Sequence, residues 1–227
     1  MKKLCIALSL AAALTATNMF ASMTAILNET GPGNATGGGI FQAVTSDNGT
    51  FDTFCISINT EFQPGDTYNY SVSPTIVANP APVGYPQNPP TYISYGTAYI
   101  YNQFELGNPT YAGGATSSAT ANAVQYTIWY LQGLLNGYSD PRGYDYTSEV
   151  TAMLITLETQ SGKTLGDLQA NGDGAFGVEA LDLHDGTYQP QLIQVPVPEA
   201  STVIAGALLV LPFAASTVRI LRKSRLA

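Results

Sequence analysis

The stretch Ser118–Leu135, SATANAVQYTIWYLQGLL, decides the fold class. Val124, Ile128, Leu131 and Leu135 recur at helical spacing and make one apolar stripe. Ser117 or Ser118 can cap the start, and Gly137 stands where such a helix stops. Downstream, residues 147–160 repeat the pattern with Val150, Leu154 and Leu157, and Gly162 ends it. Upstream, residues 96–106 set Ile100 and Phe104 one helical turn apart. Outside this block the period shortens to that of strands. Residues 23–27, 40–44, 51–59 and 67–72 read as strands on one side, and 178–183 and 191–195 on the other. Asp47, Asn48 and Gly49 form a hairpin turn signal, and residues 74–90 are a proline-rich loop. Strands, then helices, then strands predict an α+β fold. The expected form is a single antiparallel β-rich domain, sandwich or barrel-like, with two or three helices inserted.

The two ends have a different character. Lys2 and Lys3 precede an apolar run from Leu4 to Leu14, which reads as a signal peptide over residues 1–21. At the other end, Val197, Pro198, Glu199, Ala200, Ser201 and Thr202 lead into an uncharged span over residues 202–218. Arg219, Arg222, Lys223 and Arg225 crowd behind it. Such a span is at the lower limit for crossing a bilayer, and the basic cluster would stay cytoplasmic. Motif, span and cluster together resemble the PEP-CTERM sorting signal of Gram-negative bacteria, with Ala200 where that family carries a second proline. The resemblance implies processing by an exosortase-type enzyme. It implies an inner-membrane intermediate, then the cell surface or the extracellular matrix. Residues 196–227 are thus expected to be a sorting signal and residues 22–195 an acidic extracytoplasmic domain.

The whole chain has 8 basic residues against 16 acidic ones. Six of the basic residues belong to the two ends, so residues 22–195 keep only Arg142 and Lys163. A domain so acidic repels nucleic acid and anionic lipid. Its charge suits solubility outside the cell or contact with a polysaccharide matrix.

Residues 22–195 hold one cysteine, Cys55, between Phe54 and Ile56. It cannot form a disulfide within this domain. On an alternating strand Cys55 shares a face with Thr53 and Ser57, while Phe54, Ile56 and Ile58 take the other. Cys55 is therefore expected off the main core. The Phe54-Cys55-Ile56 stretch, together with Val124-Gln125-Tyr126-Thr127-Ile128-Trp129, resembles the Cys–Gln pair of bacterial thioester domains, which are surface adhesin modules. Similar segments occur in a group of PEP-CTERM proteins. The resemblance implies that Cys55 attacks the Gln125 side-chain carbonyl, expels ammonia and leaves an internal thioester, with Trp129 as its shield against water. Such an acyl group awaits a surface amine or a sugar hydroxyl. A buried, inert thiol and an intermolecular disulfide are the alternative fates of Cys55.

Other chemistry finds little support. One histidine, His184, and one cysteine cannot make an ordinary zinc site, so neither metal nor cofactor is expected. His184 lacks a serine in a nucleophile-elbow pattern and reads as a surface residue. Residues 171–174 read as a tight turn rather than a calcium loop. The expectation is an exported surface or biofilm-matrix protein, single-use in its chemistry and not a turnover enzyme. The alternatives are a secreted polysaccharide hydrolase and a non-covalent carbohydrate-binding or structural matrix protein.

Overall fold

The computed structural model describes residues 23–33, 38–58, 60–76, 92–114, 117–135, 145–184 and 187–196. The expected signal segment, the 197–202 motif, the 202–218 span and the 219–225 cluster lie outside the described residues, as does most of the proline-rich loop. Among the described residues no helix is long and apolar enough to cross a membrane.

Among the described residues six strands form one antiparallel sheet: β1 (Thr24–Asn28), β2 (Phe41–Thr45), β3 (Gly49–Thr53), β4 (Thr67–Ser73), β5 (Val178–Leu183) and β6 (Gln191–Gln194). Their order across the sheet is β3-β2-β1-β4-β5-β6. The β2–β3 hairpin turns where the sequence indicates, with Gly49 at φ 75°. The expected long strand over residues 51–59 does not form, because the chain leaves β2 after Thr53 and crosses to β6. Ile56 N–H donates to the Pro190 carbonyl at 3.0 Å, and Leu192 N–H to the Phe54 carbonyl at 3.0 Å. The Thr53 hydroxyl donates to the Leu192 carbonyl at 2.6 Å. These bonds join the two edges, so the sheet curls into a nearly closed barrel. Closure also removes edges that would otherwise offer unpaired backbone to other chains.

Among the described residues four helices lie between β4 and β5: α1 (Tyr95–Glu105), α2 (Ser118–Leu131), α3 (Thr147–Ser161) and α4 (Leu165–Gln169). The α+β expectation holds, with one short helix more than foreseen. Ser117 caps α2 by accepting the Thr120 N–H at 3.2 Å. The helix stops earlier than Gly137. Gly133 takes φ 69°, and its N–H bonds the Tyr130 carbonyl while Leu134 N–H bonds the Trp129 carbonyl. This is a Schellman ending, which a left-handed glycine permits. The apolar Leu134 and Leu135 beyond it still pack inward, so hydrophobic pattern alone overran the helix.

The sheet has a core on each face, and this corrects the expectation for Cys55. Phe54, Ile56, Val178, Ala180 and Leu192 face the helices and pack with Ile100, Phe104, Ile128 and Leu157. Ala25, Leu27, Phe41, Ala43, Tyr68, Leu181 and Leu183 fill the barrel interior. Cys55 alternates away from Phe54 and Ile56, as a strand requires. The face it turns to is no surface: it is the second core, where Cys55 is 1% exposed.

Candidate functional site

Helix α2 carries Gln125 and Trp129 one turn apart on the face that closes the barrel interior. The segment between β3 and β6 carries Cys55 to the same place. Gln125 and Cys55 then meet through three hydrogen bonds. Cys55 N–H donates to Gln125 Oε1 at 3.1 Å, and Gln125 Nε2 donates to the Cys55 carbonyl at 2.7 Å. The Cys55 thiol donates to the same Oε1 at 3.4 Å.

Local backbone geometry explains why the amide fits. Cys55 faces Gln191 in an antiparallel bridge whose hydrogen bonds come from the neighbouring residues, Phe54 and Ile56. In such a non-hydrogen-bonded pair the middle residue's own N–H and C=O point away from its partner strand. They would be left buried and unpaired, at a cost of about 1–3 kcal/mol each. The Gln125 amide replaces the missing strand and satisfies both.

The same docking sets up a reaction geometry. With a C=O bond of about 1.23 Å, the sulfur lies within about 4.6 Å of the Gln125 carbonyl carbon. Near-attack conformers bring reacting atoms to about 3–3.5 Å, so an approach of roughly 1 Å at most separates this docked position from attack. The Cys55 N–H already rests on the carbonyl oxygen and would hold negative charge that develops there. Gln125 is 0% exposed, so water has no direct path to the acyl carbon.

Among the described residues no charged side chain acts on the Cys55 thiol. Burial pushes the Cys55 thiol up to about 12, and no charged group is among the causes of the shift. Backbone N–H groups and the Trp129 indole act the other way and favour the thiolate. The indole N–H makes no well-aligned hydrogen bond, so it is a loose donor beside the sulfur rather than a bonded one. The proton balance suits a neutral site. The thiol loses one proton on attack, and the departing amide nitrogen needs one to leave as ammonia. Net acylation requires no outside acid or base.

Glycine makes room for this arrangement. A Cβ on Gly38 would lie 3.1 Å from Gln125 Cγ and 3.6 Å from the Trp129 ring. A Cβ on Gly33 would meet Asn122 Oδ1 at 2.4 Å. The loop before β2 therefore packs backbone directly on α2 and covers the Gln125 side chain. The sequence shows these glycines as a loop without a phosphate-binding pattern, and gives no sign of what they cover.

The other singled-out residues scatter. His184 is exposed at a turn after β5 with φ 48°. Asp173 and Gly174 form a tight turn with positive φ. Among the described residues no three His, Cys, Asp or Glu side chains are placed to hold a metal ion. Sequence reasoning missed Gln191, the buried backbone-bridge partner of Cys55. Its inward aim depends on the register between residues 54–56 and β6, which no local pattern reveals.

No protein-family model matches the chain, and no curated protein matches it. Among solved structures, the chain is similar to the N-terminal thioester domain of fibronectin-binding protein SfbI from Streptococcus pyogenes. The likeness has a TM-score of 0.44 and 14% identity, and it covers 78% of this chain and 94% of that one. At that level it concerns the general course of the chain. The chemistry of the site rests on the site's own geometry.

Proposed function

We propose that this domain forms an internal thioester between Cys55 and Gln125 and uses it once, to attach covalently to an amine on a surface or matrix partner. The observation that supports this reading is the contact itself. The one thiol of the described residues donates to the side-chain oxygen of a fully buried glutamine, whose carbonyl is also held by a backbone N–H. A buried thiol without a role would need no such partner. An amine fits better than a sugar hydroxyl: a hydroxyl must give up its proton to a base during attack, and no charged group perturbs Cys55. Trp129 and Gly38 form the shield.

The processing reading belongs to the same proposal. Export through residues 1–21, and sorting through the 197–202 motif with removal of the tail by an exosortase-type enzyme, would deliver the acidic domain to the cell surface or matrix.

Exposure of the purified domain to methylamine tests the attachment chemistry. The expected result is one methylamide, on Gln125, with release of one titratable thiol at Cys55. Labelling spread over several glutamines, or none at Gln125, contradicts the proposal. Turnover of a polysaccharide by the same preparation would favour the hydrolase instead.

A further inference from the structure

Trp129 is 2% exposed, and its indole N–H is buried with no hydrogen-bond partner among the described residues. A buried indole normally finds an acceptor, and a buried donor left without one calls for an explanation. Its surroundings supply one. Trp129 stands one helical turn after Gln125 on α2, and both side chains lie against Gly38. Cys55 belongs to the same core cluster. Burial opposes a thiolate at Cys55; of the groups that favour one, the Trp129 indole comes first, ahead of the backbone N–H groups of Cys55 and Ser57. The Cys55 N–H is already committed to Gln125 Oε1 at 3.1 Å. The indole N–H is therefore the uncommitted side-chain donor at the sulfur.

We propose that the Trp129 indole N–H is a catalytic donor to sulfur: it holds the negative charge that Cys55 Sγ acquires when the C–S bond of the thioester breaks. The proposal rests on the thioester reading and gives Trp129 a chemical part beside its part as a cover. In attachment the amine lone pair bonds to the Gln125 carbonyl carbon, and the carbonyl oxygen gathers charge against the Cys55 N–H. The C–S bond then breaks, its electron pair goes to sulfur, and one amine proton follows to give the free thiol. Between those two events sulfur is a thiolate in a core. Burial that pushes the thiol up to about 12 makes sulfur a poor leaving group, so C–S cleavage is where a donor matters most. Hydrogen bonds to ionised groups are shorter and about twice as strong as neutral ones. Catalytic hydrogen bonds often tighten only as charge develops. An indole that lies loose beside a neutral sulfur fits that pattern.

Trp129 is the one tryptophan of the chain, so an analogue can replace it alone. Intact-mass time courses with methylamine, and separately with 2-mercaptoethanol, compare the wild type with protein carrying 5-fluorotryptophan or benzothienylalanine at this position. The first analogue keeps the N–H; the second keeps the two-ring shape and puts sulfur in its place. The benzothienyl protein should react about tenfold more slowly with methylamine, as the loss of one hydrogen bond to a charged group warrants. It should slow as much with the thiol, because the same sulfur leaves. The 5-fluoro protein should stay within about threefold of wild type toward both. Trp129→Phe, which also lacks the N–H, takes the place of the benzothienyl protein should that one fail to fold. Rates at or above wild type without the N–H would make Trp129 a cover alone, and equal losses with both analogues would make ring fit the cause. Either result overturns the donor role and leaves the thioester standing. A wild type that never loses ammonia overturns both.

Discussion

Two buried glutamines lie seven positions apart on α2 and its C-terminal cap, and the molecule treats their amides almost alike. Gln125 accepts the Cys55 N–H and donates to the Cys55 carbonyl. Gln132 accepts the Ser94 N–H at 2.8 Å and donates to the Tyr92 carbonyl at 3.1 Å. Each amide stands in for a missing strand beside an extended segment. The difference is the third group on the oxygen. At Gln132 it is the Thr97 hydroxyl, at 3.3 Å. At Gln125 it is the Cys55 thiol. Amide docking is thus a structural device that this fold uses twice, and sulfur turns one copy of it into a potential acyl donor. Near Gln132, Ser94 caps α1, so that site anchors a helix start. Near Gln125 the Trp129 indole N–H remains a loose donor beside the sulfur.

The largest expected effect separates the two sites completely. Cys55→Ala should abolish methylamine incorporation at Gln125, read by peptide mapping, while Gln132 stays unlabelled in both proteins. Labelling at Gln132 in either would break the contrast. Next in size is stability. Gln125→Leu and Gln132→Leu each leave a buried backbone N–H and C=O unpaired. Each should lower unfolding free energy by about 2–5 kcal/mol, measured by denaturant titration of protein in which Cys55 is still a thiol. Only Gln125→Leu should also remove the chemistry; Gln132→Leu should retain it.

A smaller change probes the cover. Gly38→Ala places a methyl against Gln125 Cγ, tighter than ordinary contact, and should cost about 1–3 kcal/mol by overpacking. Hydrolysis of its thioester should speed up, followed as regained thiol. The smallest effect concerns pH. Burial raises the Cys55 thiol from 9.0 to about 12. The raised value means that the thiol's contribution to stability is intact below pH 9.0 and is lost as pH climbs toward 12. The slope is about 1.4 kcal/mol per pH unit at most. Protein that has not formed the thioester should show this fall relative to Cys55→Ala; parallel curves would refute the buried-thiol geometry.

Much of the fold was legible because its signals are local. The α2 stripe, the hairpin at Asp47–Gly49 and the glycine stop at Gly162 each depend on a few adjacent residues. Even α4 has a local signal, the Thr164–Asp167 capping box, though five residues are too few to show a period. The Cys55–Gln125 pairing came from resemblance, and the structure places the two residues in contact. What stayed hidden was non-local. The crossing of residues 54–56 to β6 makes both faces of the sheet buried, and so moves Cys55 from a supposed outer face into a core. Gln191 and Gly38 take their meaning from that same crossing and from helix–loop packing. A polar strand residue and a loop glycine announce neither.

The most direct test of the thioester is the intact mass of the folded domain, purified without added amines and compared with Cys55→Ala. The predicted result is a mass below that of the sequence by one ammonia, with Cys55 and Gln125 in one linked peptide and the deficit gone in the variant. A full sequence mass, with Cys55 titrating as a free thiol on unfolding, would contradict it.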